Sequence, residues 1–176
     1  MPSVRRPDPQ DPRRPERDPL LSELHPTALK FHERALAAGL DVEVFEPEHS
    51  TRTAEEAATE VGCELGQIVK SVVLVDRDGP LLFLCAGDRR IDLEALGSEV
   101  ALARGAEVKR ITGYAIGGVP PLGHDTPLRT LVDGSLQRFQ TLWCAAGTPR
   151  ALFAVDREAL LRALDGARLW PDRGSS

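Results

Sequence analysis

Lysine, cysteine and long apolar runs are all scarce in this sequence. Only Lys30, Lys70 and Lys109 are lysines among 22 basic residues, which suggests that each is retained for its compact, tunable ammonium. The three cysteines are odd in number and widely spaced, which argues against a disulfide framework and fits a reducing compartment. No apolar run approaches the length of a membrane span, so we expect a cytoplasmic protein without membrane attachment.

Several cofactor and catalytic motifs are also missing. The sequence has neither a G-x-x-x-x-G-K-[ST] phosphate loop nor a dinucleotide fingerprint. Its histidines are not paired with each other or with cysteines at zinc-ligand spacing, and no cysteine has an adjacent base. We therefore expect no metal, no cofactor and no Cys–His nucleophile.

Composition divides the chain into a leader, a domain and a tail. Residues 1–19 alternate proline with charge and contain too little apolar surface to fold, which predicts a disordered leader. We expect one domain over residues 20–170 and a flexible tail over 171–176. The net charge of −5 means that any nucleic-acid contact is small or local.

Local patterns predict helices mixed with strands. Helices are expected from His25 to about Ala38, after the Thr53–Glu56 capping box, in short pieces between about 92 and 103, and after Asp156. Strands are expected over 41–47, as a hairpin over 67–87, and as the pair TLWCAAG and RALFAV. This order lacks strict β-α-β alternation and indicates an α+β fold with a mixed sheet flanked by helices.

Lys70 begins a strand whose other residues are mostly apolar. Strand alternation places Val69, Ser71 and Val73 on one face, and Lys70 with Val72 on the other. The lysine is then either a side chain that extends from a strand end to solvent or a cation at the mouth of a pocket.

The segment YAIGGVPPLGH, residues 114–124, combines conformationally free glycines with conformationally restricted prolines. Gly117 and Gly118 permit close approach of a ligand to their N–H groups, whereas Pro120 and Pro121 fix φ and remove donors. It is either a rigid wall with amides that bind an oxygen atom or a tight surface turn. His124 is a candidate base or wall residue, and we expect Asp133 to cap a short helix or line the site.

Three separated motifs carry a family resemblance. TAEEAATEVGCELGQIVKSVVL, TGYAIGGVPPLGH and LQRFQTLWCAAGTPRALF together resemble the YbaK and prolyl-tRNA-synthetase-associated family of aminoacyl-tRNA editing domains, over about residues 22–165. The resemblance implies a compact mixed sheet, partly closed like a barrel. It also implies hydrolysis of the ester of mischarged tRNA, in trans and without a metal.

The resemblance also implies roles for residues. Lys70 would fix the terminal phosphate or the ester, and the loop with Gly117, Gly118, Pro121 and Gly123 would hold the aminoacyl group. Water would attack the ester, assisted by the substrate's own 2′-hydroxyl. The side chains expected to form the size filter are Val72, Ile116, Ala145 and Ala146, and the candidate phosphate contacts are Arg89 with Arg90 or Lys109 with Arg110.

Departures from the family pattern concern the substrate. Relatives specific for cysteinyl-tRNA carry Ser-Gly-Gly-Lys-Arg-Gly where this chain has AAGTPR, residues 145–150, and Gln where it has His124. We therefore expect a small amino acid such as alanine, 2-aminobutyrate, serine or threonine on the acceptor end of tRNA-Pro or a similar tRNA. A synthetase is a candidate partner of the leader. The alternatives are a non-catalytic binding module for tRNA, a nucleotide or a protein and, more distantly, a small-ester hydrolase.

Overall fold

The computed structural model describes residues 21, 23–49 and 51–171. The predicted leader, residues 1–19, lies outside the described residues, as does most of the predicted tail. The helices are α1 (Pro26–Ala37), α2 (Ala54–Val61), α3 (Leu93–Leu96), α4 (Gly105–Thr112) and α5 (Arg157–Ala163). The strands are β1 (Val44–Phe45), β2 (Val69–Asp76), β3 (Gly79–Ala86), β4 (Ala101–Leu102), β5 (Arg129–Asp133), β6 (Thr141–Ala145), β7 (Leu152–Asp156) and β8 (Arg168–Trp170).

The strands form two sheets. One has the order β1-β7-β6 with antiparallel pairs, and the other has the order β4-β2-β3-β5-β8. In the larger sheet β2 is antiparallel to β3 and β4, whereas β5 is parallel to β3 and β8. A parallel bridge between Ile68 and Trp143 links the sheets. The predicted α+β class with a mixed sheet is confirmed, and within the described residues the strands form open sheets.

Several element boundaries follow from local signals. The His25 side chain accepts the Thr27 N–H at 3.1 Å, and the helix ends before Ala38 as predicted. Thr53 and Glu56 form the predicted capping box at the start of α2. Asp156 accepts the Ala159 N–H at 3.1 Å and begins α5.

Other boundaries differ from the sequence prediction. The strand expected over 41–47 contains only Val44–Phe45, and of the helical pieces expected between 92 and 103 only Leu93–Leu96 is helical. The helix α4 was not predicted because Arg104 makes no side-chain cap, so the usual start signal is missing. β5 and β8 were also not predicted.

β2 positions the candidate site. Val69 and Val73 pack in the main core, whereas Val72 and Leu74 pack in a second cluster, which confirms the predicted alternation. One edge of β2 pairs with β3 along its whole length. On the other edge, β6 approaches at Ile68 and β4 pairs only with Leu74 and Val75, which leaves a gap beside Ser71.

Candidate active site

A cavity of about 330 Å³ borders this gap. Its floor comes from β2, and its walls come from the start of α2, from β4 and α4, from the loop over residues 116–119, and from the ends of β6 and β7. Most lining side chains are apolar; the polar ones are Thr51, Arg52, Thr53, Lys70 and Ser71. The volume suits a small apolar group approached by a few polar atoms.

The structure brings five of the sequence-predicted site residues together and places the others elsewhere. Those that line the cavity are Lys70, Val72, Ile116, Gly117 and Ala145. Those that do not are Gly118, Pro121, Gly123, His124, Asp133 and Ala146. All of the second group except Asp133 lie in or beside the segments that form the cavity wall.

Lys70 is half-buried, and its ammonium is held at one point. Its Nζ donates a hydrogen bond to the carbonyl oxygen of Arg89, on the segment after β3. An ammonium has three N–H donors, and this carbonyl takes one of them. The contact fixes the lysine beside the cavity and leaves it the capacity to bind an anion or an ester oxygen.

The loop turns sharply where it reaches the cavity. Gly117 has φ +86°, and the Gly118 N–H donates to the Ala115 carbonyl at 3.0 Å, so residues 115–118 form a tight turn. The Gly118 amide is therefore occupied within the loop. A Cβ at Gly118 would lie 2.7 Å from the Thr148 backbone, so only glycine allows the loop to pack on the turn after β6.

The rest of the loop is buried and fastened. Pro120 and Pro121 are almost fully buried, and His124 Nε2 lies 2.7 Å from the Pro120 carbonyl, to which it donates. Burial lowers the pKa of His124 below its ordinary value of 6.5, so the ring is neutral at pH 7. The geometry makes His124 part of the loop's support.

Asp133 lies away from the cavity. Its carboxylate accepts the Ser135 N–H at 2.9 Å and caps the short 3₁₀ helix Gly134–Arg138, which is one of the two roles expected for it. It lines a separate cavity together with Arg89 and Arg90. Those two candidate phosphate contacts therefore do not border the cavity of β2.

Of the polar residues that line the cavity, sequence reasoning missed four as site residues: Thr51, Arg52, Thr53 and Ser71. The Ser71 Oγ is buried and finds no hydrogen-bond partner in the part of the chain that the structure describes. Arg52 lines both the cavity and a neighbouring groove. Strand alternation placed Ser71 opposite Lys70, but no sequence signal showed which face borders a cavity.

Metal-binding groups, membrane-spanning helices and a reactive thiol at Cys85 are all missing from the described residues. They contain no group of three or more His, Cys, Asp or Glu side chains placed to bind a metal, and none of their helices is long and apolar enough to cross a membrane. Burial raises the pKa of Cys85 to about 11, which leaves its thiol unreactive. A larger cavity of about 460 Å³ near β5 and β8 contains none of the predicted residues.

Comparison with known proteins gives a consistent result. The model of the aminoacyl-tRNA editing domain matches residues 48–163. The uncharacterized protein YwhH of Bacillus subtilis is 36% identical over 135 residues, covering 74% of this chain and 85% of YwhH. The multifunctional Ser/Thr-tRNA deacylase ProXp-y of Escherichia coli K12 is 31% identical over 125 residues, covering 65% of this chain and 71% of the relative.

A solved structure agrees in fold and sequence. The crystal structure of a candidate trans-editing enzyme for prolyl-tRNA synthetase superposes with a TM-score of 0.79 at 44% identity. The match covers 84% of this chain and 97% of that one. With a family model that spans most of the domain and relatives above 30% identity, this chain belongs to the aminoacyl-tRNA editing domain family.

Proposed function

We propose that this protein is a deacylase that acts in trans on mischarged tRNA and hydrolyses the ester to a small non-cognate amino acid. The observation that carries the proposal is the cavity of about 330 Å³, which joins Lys70, the Gly117 turn and an apolar wall. A synthetase pocket discriminates weakly against smaller or near-isosteric amino acids. A second, small pocket restores accuracy because it admits the wrong amino acid and excludes the larger, correct one.

The aminoacyl side chain is assigned to the apolar part of the cavity. Val72, Ile116 and Ala145 border this space, and Ala146, the residue after Ala145, is fully buried. Ser71 lines the cavity, and rotation of its side chain would present its buried hydroxyl to a hydrogen-bonding side chain of the substrate. This favours serine or threonine among the small amino acids, and ProXp-y, a relative, is named as a Ser/Thr-tRNA deacylase.

The ester is assigned to the mouth, between Lys70 and Gly117. The remaining donors of the Lys70 ammonium would bind the terminal phosphate or the ester carbonyl, and the exposed Gly117 amide adds a further candidate donor. None of the described cavity residues is a carboxylate, histidine or cysteine. In the proposed reaction, water attacks the ester carbonyl with help from the substrate's 2′-hydroxyl.

Recognition of the tRNA is assigned to its acceptor end. Arg52 stands between the cavity and a groove that contains Arg150 together with Glu46 and Glu48. The two guanidinium groups would be the phosphate contacts in a lining whose arginines and glutamates are equal in number. A short contact of this kind is compatible with a net charge of −5.

The test is hydrolysis of alanyl-, seryl-, threonyl-, cysteinyl- and 2-aminobutyryl-tRNA-Pro by the wild type and two lysine variants. Lys70→Ala is expected to lower kcat/KM on the preferred ester by about 100-fold, the scale of one lost electrostatic donor. Lys109→Ala is the matched control, because Lys109, a candidate phosphate contact from the sequence, is exposed on α4 and does not line the cavity. EDTA is expected to leave the rate unchanged.

The outcomes separate the possible functions. Hydrolysis of one or two esters, lost in Lys70→Ala at an unchanged melting temperature, supports the deacylase and identifies its substrate. If every ester survives while the tRNA still binds, the protein is a non-catalytic binding module. Equal loss in both lysine variants would contradict the role given to Lys70.

A further inference from the structure

The far end of the loop is held by α1, a helix outside the segment that matches the family model. Arg34 Nη1 donates to the Gly123 carbonyl and to Asp125 Oδ1, each at 2.8 Å. Lys30 Nζ lies 3.5 Å from the same carboxylate oxygen and 4.7 Å from the centre of the Tyr114 ring. The helix thus presents two cations to one turn of the loop.

Tyr114 completes this fastening from inside the protein. Its ring is fully buried, and its hydroxyl donates to the Gly123 carbonyl at 2.8 Å. A carbonyl oxygen has two lone pairs, and Arg34 and Tyr114 occupy both. Hydrogen bonds from a charged donor are stronger than neutral ones, so Arg34 supplies the stronger of the two.

The Gly123 end of the loop is connected to the Gly117 end, which borders the cavity, by a segment whose backbone is restricted. Between Gly117 and Gly123 the chain contains the buried Pro120 and Pro121, whose φ angles are fixed, and His124 fastens the Pro120 carbonyl. A shift at Gly123 is therefore transmitted to Gly117. Displacements of about 1 Å in a site that positions a reacting group cost up to about 100-fold in rate.

We propose that Arg34 is a positioning residue for deacylation, which acts through the Gly123 carbonyl and the loop to hold Gly117 at the mouth of the cavity. This inference rests on the proposed function. Arg34 does not line the cavity, and it lies outside the matched residues 48–163. Its role would be in catalysis rather than in substrate contact.

Arg129 offers a matched control within the same chain. Its Nη2 donates to Asp76 Oδ1 at 2.7 Å and to the Gly79 carbonyl at 3.1 Å, where it fastens the turn between β2 and β3. The pattern of an arginine that holds a carboxylate and a glycine carbonyl is the same. The turn that Arg129 holds lies at the other end of β2 from Lys70.

The experiment compares Arg34→Met with Arg129→Met on seryl- and alanyl-tRNA-Pro. Each methionine retains an apolar stem and loses the donors, so we expect both melting temperatures to fall by a similar few degrees. Arg34→Met is expected to lower kcat about tenfold or more with KM within about threefold, and Arg129→Met to leave kcat within about twofold. Arg34→Lys, which keeps one charged donor, is expected to recover part of the lost kcat.

Two results would overturn the inference. If the wild type is active and the two methionine variants have the same kcat, the fastening affects stability alone and Arg34 has no positioning role. If the wild type hydrolyses no ester, the proposed function fails and this inference fails with it. The kcat of the wild type therefore distinguishes the two failures.

Discussion

Two turns of this protein are each fastened by an arginine, and the contacts are nearly the same. Arg34 donates to a carboxylate and a glycine carbonyl at 2.8 Å each, and Arg129 makes the corresponding contacts at 2.7 and 3.1 Å. The first turn ends the loop that walls the cavity, whereas the second closes the hairpin of β2 and β3. Under the inference above, the same arrangement of contacts serves the site in the first turn and stability alone in the second, because only the first fastened segment borders the cavity.

The largest effect is expected from Gly118→Ala, with Gly79→Ala as its counterpart in the hairpin. A Cβ at Gly118 would lie 2.7 Å from the Thr148 backbone, so the loop must move off the turn after β6. We expect kcat/KM on the preferred aminoacyl-tRNA to fall about 100-fold. Gly79 has φ +108° and nothing within 4 Å of the added Cβ. Its variant should therefore lose about 1 kcal/mol of stability and keep the activity of the wild type.

Chemical denaturation measures the free energy of unfolding of Gly118→Ala and Gly79→Ala, and kinetic assays measure kcat/KM for the same two variants. Full activity of Gly118→Ala would show that the loop tolerates displacement. The contrast between the two turns would then have no catalytic meaning.

A smaller effect is expected at the cavity end of β2 from Ser71→Ala. The variant removes a buried hydroxyl without a partner in the described residues, so the rate on seryl-tRNA should fall about three- to tenfold more than the rate on alanyl-tRNA. Ser135→Ala is the matched control, because the Ser135 Oγ is also buried and without such a partner but lies away from the cavity. If Ser71→Ala changes the rates on seryl-tRNA and alanyl-tRNA equally, Ser71 does not contribute to substrate selection.

The smallest effect is expected from pH acting on the two turns. Because burial lowers the pKa of His124 below 6.5, the unfolded chain takes up the proton first. This contribution to stability is complete above pH 6.5 and is lost as the pH falls toward the folded-state pKa. The hydrogen bond from Arg129 lowers the pKa of Asp76 below 3.8, so the stability from that pair is present above 3.8 and is lost only in stronger acid.

Thermal denaturation between pH 7 and pH 5 tests this difference with His124→Gln. Glutamine keeps a donor for the Pro120 carbonyl and does not titrate, so the variant should lose a few degrees less than the wild type on acidification. Identical losses would show that another group dominates this range.

The parts of the site that the sequence predicted are those governed by local rules. Alternation along one strand placed Lys70 and Val72 on the same face, and the glycine and proline pairs identified the loop. The helices with capping side chains, α1, α2, α3 and α5, were predicted close to their observed starts. In each case the feature depends on contacts between residues that are only a few positions apart in the sequence.

The parts that sequence reasoning missed depend on contacts between distant segments. Arg34 and Gly123 are 89 residues apart, and nothing near either residue indicates the other. The gap beside Ser71 exists because β4 contains only two residues and β6 diverges after one bridge. A pocket formed by the end of one strand and the departure of another has no signature in a single segment.

The position of α1 has a practical consequence for work with excised fragments. A fragment that begins at residue 48, where the family match starts, would retain the cavity and the loop but lose both cations that fasten the loop. Such a fragment would leave the Gly123 carbonyl with Tyr114 alone and would expose the core surface around Phe153 on which α1 packs through Phe31. Weak activity in that fragment would reflect the missing helix, so the boundary for expression belongs before residue 26.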